Sequence, residues 1–247
     1  TETITAFSAK ARIVQMKQSL FCGMRDGIPV CLGYIVVSMS FGMFAVAHGI
    51  PVFSTIALSM TNMTSAGQFA AVNLAGACAS FTEIGFATVV VNIRYALMSL
   101  VLSQKIEKMS FIKRMLLAAG ITDEVFTIAS TRGEKVSFSY MAGLIITPYL
   151  GWSLGTILGA TVNSLMPVSV VSAMGITLYG MFVAITVPVA REERPVLYTL
   201  LIAITLSCIL KYAPVISALS SGWAIIIVTL FTSALAAVLF TADEEPA

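Results

Sequence analysis

The chain is short of charge. Asp, Glu, Lys and Arg make up 11% of its 247 residues, against about 25% in ordinary soluble proteins. None of them stands between Gly27 and Thr82 or between Val136 and Ala190. A soluble domain cannot hide so much uncharged, apolar chain, whereas about 20 helical residues cross a bilayer core of roughly 30 Å. Other shortages exclude further classes. His48 is the single histidine, and the cysteines Cys22, Cys31, Cys78 and Cys208 show no CxxC spacing, so neither a metal site nor a disulfide framework is expected. Walker A, HExxH and GxSxG sequences are missing, so no enzyme and no cofactor is expected. A net charge of +2, carried near span ends, gives no patch for nucleic acid. Runs such as LIAITLSCIL do not alternate apolar and polar, which excludes an outer-membrane barrel.

What remains is a chain with 58% hydrophobic residues. It reads as an all-α polytopic helical membrane protein: one transmembrane domain over 1–247, with about six full spans and a broken or re-entrant element at about 52–80. Residues 1–27 hold Lys10, Arg12, Lys17 and Arg25 and read as a cytoplasmic amphipathic lead-in rather than a cleavable signal. Membrane helices occupy 28–241, with spans expected at about 28–47, 84–104, 137–161, 168–189, 195–210 and 223–241, and 242–247 is an acidic tail. The seam Gly33, Ser38, Ser40 and Gly42 of the first span suits close helix packing. LGYIVVSMSFG at Leu32 and LGWSLGTILGA at Leu150 echo each other weakly.

Within 52–80, the stretch TNMTSAGQF puts Thr61, Asn62, Thr64, Ser65, Gly67 and Gln68 at membrane depth. Irregular backbone is tolerated there only where it is buried in protein or lines a wet cavity. The three basic segments are the N-terminal stretch, 105–135 and the REER loop at 191–194. The positive-inside rule puts all three in the cytoplasm, with both termini, only if 52–80 returns to the side it entered from or crosses twice.

Arg94, mid-span, costs at least about 2.5 to 3.5 kcal/mol on insertion scales and so calls for a cavity or a partner. Its guanidinium suits a carboxylate. Glu83 is eleven residues away, on the same helix face but about 16 Å along the axis, too far to pair. Asp123 or Glu124 reaches Arg94 only if its short segment folds back. A half-helix beginning near Gly67 aims free N–H groups at an anion. The candidate substrate-binding residues are therefore Arg94, Asn92, Gln68, Asn62, Ser65 and Gly67, with Asn73 as a further polar group. Glu83, Asp123 and Glu124 are the candidate proton-coupling or gating acids.

At TSAGQF (Thr64–Phe69), VNIRYALMS (Val91–Ser99) and GITDEVF (Gly120–Phe126), the chain resembles the AzlC family of branched-chain amino acid exporters. The resemblance implies an inner-membrane secondary transporter that exports valine, leucine, isoleucine or related apolar amino acids such as methionine. It further implies proton coupling and a small AzlD-type membrane partner. Tyr95 stands where many relatives carry His. For such a substrate, Arg94 with Asn92 is expected to meet the carboxylate, Gln68 and Asn62 the ammonium, and Phe69, Phe41 and Met98 the side chain. A channel-like pore and a non-transporting assembly subunit are the alternative readings.

Overall fold

A computed structural model describes residues 2–133, 135–162, 166–167, 169, 176–212 and 220–240. Its helices are α1 (Glu2–Ala47), α2 (Val52–Asn62), α3 (Ala66–Gly76), α4 (Phe81–Asn92), α5 (Arg94–Lys105), α6 (Phe111–Ala118), α7 (Asp123–Thr131), α8 (Phe138–Val162), α9 (Thr177–Glu192), α10 (Arg194–Tyr212) and α11 (Ser221–Leu239). Among the described residues the extended pairing is one isolated bridge, Ile106 to Val136. Five stretches there are long and apolar enough to cross a membrane: Gln15–Ala47, Phe81–Lys105, Phe138–Val162, Arg194–Tyr212 and Ser221–Leu239. The expected span at 168–189 is described at 169 and from 176 onward, and the acidic tail at 242–247 lies outside the described residues.

Two expected boundaries move. No break separates a lead-in from the first span, because α1 runs unbroken from Glu2 to Ala47. Gly27 is a contact point rather than a stop: a β-carbon there would lie 3.2 Å from Leu144 O. The expected span at 84–104 lies within a longer one, Phe81–Lys105, in which Ile93, between α4 and α5, keeps helical backbone (φ -58°, ψ -26°). The broken element at 52–80 is present as α2 and α3, joined through Met63 (φ 42°) and Ser65 (φ 38°). Left-handed backbone at a non-glycine residue costs roughly 1–2 kcal/mol.

The chain forms two compact units, 1–64 with 93–171 and 65–92 with 172–247. In the first, α1 and α8 lie against each other with almost no side chain between them. A β-carbon added to Gly143 would sit 2.2 Å from Leu20 O, to Gly151 2.6 Å from Cys31 O, to Gly155 2.3 Å from Ile35 O and to Gly159 2.0 Å from Met39 O. Contacts climb both helices in the same order, so the two run parallel. The echoing segments at Leu32 and Leu150 thus lie side by side, and their likeness is that of two facing small-residue seams. Ser38 and Gly42 belong to this seam, but Gly33 faces open space. Ser59 ties α2 to α8 by hydrogen bonds with Thr156 Oγ1 (2.7 Å) and from Trp152 Nε1 (2.8 Å).

Parallel packing requires the chain to come back to its starting end between α1 and α8. Accordingly, Ser19 Oγ meets Ser137 Oγ at 2.8 Å, and Tyr140 donates to Asp26 at 2.6 Å. The N-terminal basic stretch and the feet of 105–135 therefore share one end of this unit. The stretch between those feet is not a loop: α6 and α7 fold back as a hairpin. The bridge holds its base, Glu107 N donating to Val136 O at 3.1 Å, while at its tip Gly120 touches Ile145, seven residues into α8. Leu117, Ile121, Val125 and Ala129 of the hairpin are buried with Leu102, Tyr140, Met141 and Leu144.

In the second unit, α3 packs on α4 where Gly67 meets Asn92. Leu74, Ala87 and Ile226 form a core between α3, α4 and α11. Tyr198 stacks on Phe240, so the start of α10 lies beside the end of α11.

Gly159→Ala should lower the melting temperature of the purified protein, because its β-carbon meets backbone that cannot swing aside, a penalty of about 1–3 kcal/mol. Gly33→Ala, with nothing within 4 Å, should melt at or above wild type. Equal melting of Gly159→Ala and wild type would dismiss the close seam.

Candidate functional site

The tip of the hairpin is built by three consecutive residues. Thr122 is the N-cap of α7, its hydroxyl accepting from Val125 N at 3.4 Å, and Asp123 and Glu124 fill the first helical turn. There the helix dipole favours negative charge. α7 is nine residues long, about 13 Å, so its cap sits well away from the basic end. Arg94, at the first position of α5, is about 16 Å along the helix from Lys105. The two depths coincide: Arg94 Nη1 pairs with Asp123 Oδ2 at 2.6 Å, with side chains 34% and 30% exposed. The condition stated for Asp123 is thus met, because the segment does fold back.

Aromatic hydroxyls complete this cluster in the first unit. Arg94 Nη2 donates to Tyr95 OH, and Tyr95 OH donates to Thr64 O, each at 3.4 Å. Glu124 accepts from Tyr34 OH. Tyr34 is 5% exposed and stands edge-on to Trp152, centroids 5.0 Å apart. Arg94 Nε is buried without a partner. Burial raises the Asp123 carboxyl above the usual carboxylate range, Arg94 opposes the rise and Glu124 adds to it. Two acids and one guanidinium leave a surplus of one negative charge.

At the hairpin's base, Lys105 Nζ donates to the carbonyls of Ser130 and Arg132. Arg132 lies 4.0 Å over the Tyr140 ring and 3.6 Å from Asp26.

The other candidates lie in the second unit or on its flanks. Ser65 is the N-cap of α3, its Oγ accepting from Ala66 N at 2.7 Å. Gly67 abuts the Asn92 amide. Gln68 is 1% exposed, yet neither its Oε1 nor its Nε2 has a partner, and Asn92 Oδ1 is also buried and unpaired. Such groups cost about 1–3 kcal/mol each when left unmet. Asn62 ends α2 exposed, and Asn73 is exposed on α3. Of the expected apolar walls, Phe41 is buried on α1, Met98 packs on the hairpin core and Phe69 is buried on α3.

Glu83 lies in the second unit. Its carboxylate is buried and accepts from Ser220 Oγ and from Gly222 N at 3.1 Å, capping the start of α11. Gly222 is required there, since a β-carbon would fall 2.5 Å from Glu83 Oε1. Among the described residues no three His, Cys, Asp or Glu side chains group as metal ligands, and all four cysteines are free.

Tyr34 was not foreseeable as the partner of Glu124 by spacing. Thr122 did carry a signal, since Thr before two acids and an apolar run is an N-cap pattern.

Helices of this length and composition, with a charged pair at depth and a broken element, define a polytopic helical membrane protein. The family described as AzlC protein matches residues 29–166. The chain belongs to the AzlC family. It is 27% identical over 143 residues to inner membrane protein YgaZ of Escherichia coli (strain K12), covering 56% of this chain and 58% of YgaZ. An uncharacterized membrane protein of Archaeoglobus fulgidus is 28% identical over 168 residues, 67% of this chain and 74% of that protein. One from Helicobacter pylori (strain ATCC 700392 / 26695) is 26% identical over 140 residues, 56% and 61% of the two lengths. The chain therefore spans less than two thirds of YgaZ. No solved structure matches.

Glu83→Gln keeps an acceptor at the start of α11 and should melt within a few degrees of wild type. Glu83→Leu removes it and should cost about 1–2 kcal/mol in a thermal melt. A Leu variant as stable as wild type would rule out the cap.

Proposed function

We propose that this chain is the large membrane subunit of a secondary exporter of branched-chain or related apolar amino acids, driven by protons and working with a small AzlD-type membrane partner. The observation that carries the proposal is the Arg94–Asp123 pair at the tip of the α6–α7 hairpin, with Glu124 beside it. A purely structural ion pair needs one carboxylate, whereas this tip has two.

In a low dielectric the surplus negative charge attracts one compensating cation. A proton on Asp123 or Glu124 serves, and so does the ammonium of an amino acid. The two exclude each other, and mutual exclusion at one site is the condition for exchanging a proton for a substrate. Arg94, whose charge is already met by Asp123, is the partner that the acid leaves and regains; Tyr95 and Tyr34 are the neutral hydrogen-bonding groups around it. Tyr95 in place of His removes a titrating side chain from this position, so the acids carry the proton. An apolar substrate pocket separates side chains by only about 1–3 kcal/mol per methylene, so several apolar amino acids should share the route. A place in the inner membrane is supported by the name of the Escherichia coli relative.

Cells expressing the chain with its small partner and preloaded with radiolabelled leucine should show saturable efflux. Arg94→Gln at matched membrane abundance should abolish it. Full efflux in that variant defeats the proposal, non-saturating flux indicates a pore, and no efflux from an intact wild-type complex indicates an assembly role. Asp123→Asn should lose the acceleration of leucine efflux given by an inward proton gradient; a retained response would place the proton elsewhere.

A further inference from the structure

The acid at the hairpin tip that Arg94 does not hold is Glu124, and the group that meets it belongs to α1. Tyr34 OH donates to Glu124 Oε2. A phenol hydroxyl lies in the plane of its ring and moves only as the ring moves, so whatever sets the buried Tyr34 ring also sets this bond. The ring stands edge-on to Trp152 of α8, with centroids 5.0 Å and planes 77° apart, a preferred arrangement for aromatic pairs. Trp152 is buried as well, and its one polar atom, Nε1, donates to Ser59 Oγ at 2.8 Å. An indole has no second donor with which to settle otherwise. Ser59 in turn shares its hydroxyl with Thr156 Oγ1 at 2.7 Å. A continuous line thus runs from Ser59 of α2 through Trp152 of α8 and Tyr34 of α1 to Glu124 of α7, all within the first unit.

Filling space does not account for these residues. Phenylalanine would pack as the Tyr34 ring does, and a buried hydroxyl or indole N–H costs free energy unless it is bonded. Here each ring puts its polar atom on a different helix. The two helices that carry the rings are also the two that cannot slip, because backbone meets backbone along the glycines of α8. The elements at the ends of the line, α2 and α7, are short, eleven and nine residues, and reach that frame through these side chains.

We propose that Tyr34 and Trp152 are positioning residues for the exchange of proton and substrate described above, a reading on which this assignment rests. Tyr34 fixes the Glu124 carboxyl beside the Arg94–Asp123 pair, and Trp152, set by Ser59, fixes Tyr34, so the seating of α2 is registered at the acids. The charged and titratable groups of this cluster are Asp123 on the same helix as Glu124, Arg94 and Tyr95 of α5, and Tyr34 of α1. Neighbouring acids titrate as a pair, and a carboxylate deprived of a donor takes up a proton more readily.

The test uses the purified complex of the chain with its small partner in proteoliposomes, with leucine exchange followed at equal pH on both sides. Because proton and ammonium exclude each other, exchange should fall as the pH drops through the titration of the acids. Tyr34→Phe should raise the half-maximal pH by about one unit, the scale of a hydrogen bond to a charged group. Trp152→Phe and Ser59→Ala should each raise it, and the double variant no further than the larger single. Tyr140→Phe loses the same kind of bond, to Asp26 at the hairpin base, and should leave it unmoved. A monodisperse Tyr34→Phe complex with the wild-type midpoint overturns the assignment, as does an equal shift in Tyr140→Phe. Wild-type midpoints in both Trp152→Phe and Ser59→Ala overturn the link to α2. A second readout needs no transport. Trp152 and Trp223 are the two tryptophans, so Trp223→Phe leaves Trp152 as the sole emitter, and its fluorescence should change with pH and lose that change when Glu124→Gln is added. A flat trace in the Trp223→Phe complex with leucine exchange intact overturns the positioning role. A titrating trace without leucine exchange supports the role and defeats the export reading alone.

Discussion

The first unit depends on one contact, the backbone-to-backbone packing of α1 on α8. In lipid no hydrophobic force drives helices together, so association rests on close van der Waals contact and on polar links. Glycine at positions 143, 151, 155 and 159 supplies that closeness, and Thr156 and Ser59 add hydroxyls where α8 meets α2. Because the pair is parallel, everything between its members must leave and return. The α6–α7 hairpin is the part of that return which dips inward, and its tip holds the acids at the depth of Arg94.

Much of this was legible in the residues. Long charge-free runs specify membrane helices, and the polar string around Ser65 announces a break, because neither pattern has another stable solution in lipid. The mid-span position of Arg94 calls for a partner on the same physical ground. The hairpin was hidden: Lys105, Lys108, Lys113 and Arg114 give 105–135 the look of a solvated loop. Yet Leu117, Ile121, Val125 and Ala129 recur every four residues across the Gly120 turn, a period that betrays one buried stripe split between two short helices. The contact of Glu83 was hidden for the opposite reason. Charge in an apolar stretch invites a functional role, while its partner, the start of α11, lies more than 130 residues away in the chain and nothing local points to it.

The cluster at the hairpin's base and the one at its tip differ in kind. At the base, Lys105 holds carbonyl groups and Arg132 rests on an aromatic face, contacts that tolerate small shifts. At the tip, the cap hydroxyl, the ion pair and the tyrosine contacts each rely on a single geometry. The base thus serves as an anchorage and the tip as a setting for chemistry, a division that follows from which residues have alternatives.

Ser59 sits where Trp152 Nε1 and Thr156 Oγ1 both reach its one hydroxyl. Sliding α2 by a single residue along α8 would strand two buried polar groups at once, so α2 is keyed to its track. The interrupted element is accordingly lopsided, with a half locked to the α1–α8 pair and a half that belongs to the other unit. Met63, Thr64 and Ser65 link the two halves, and Met63 and Ser65 do so with positive φ.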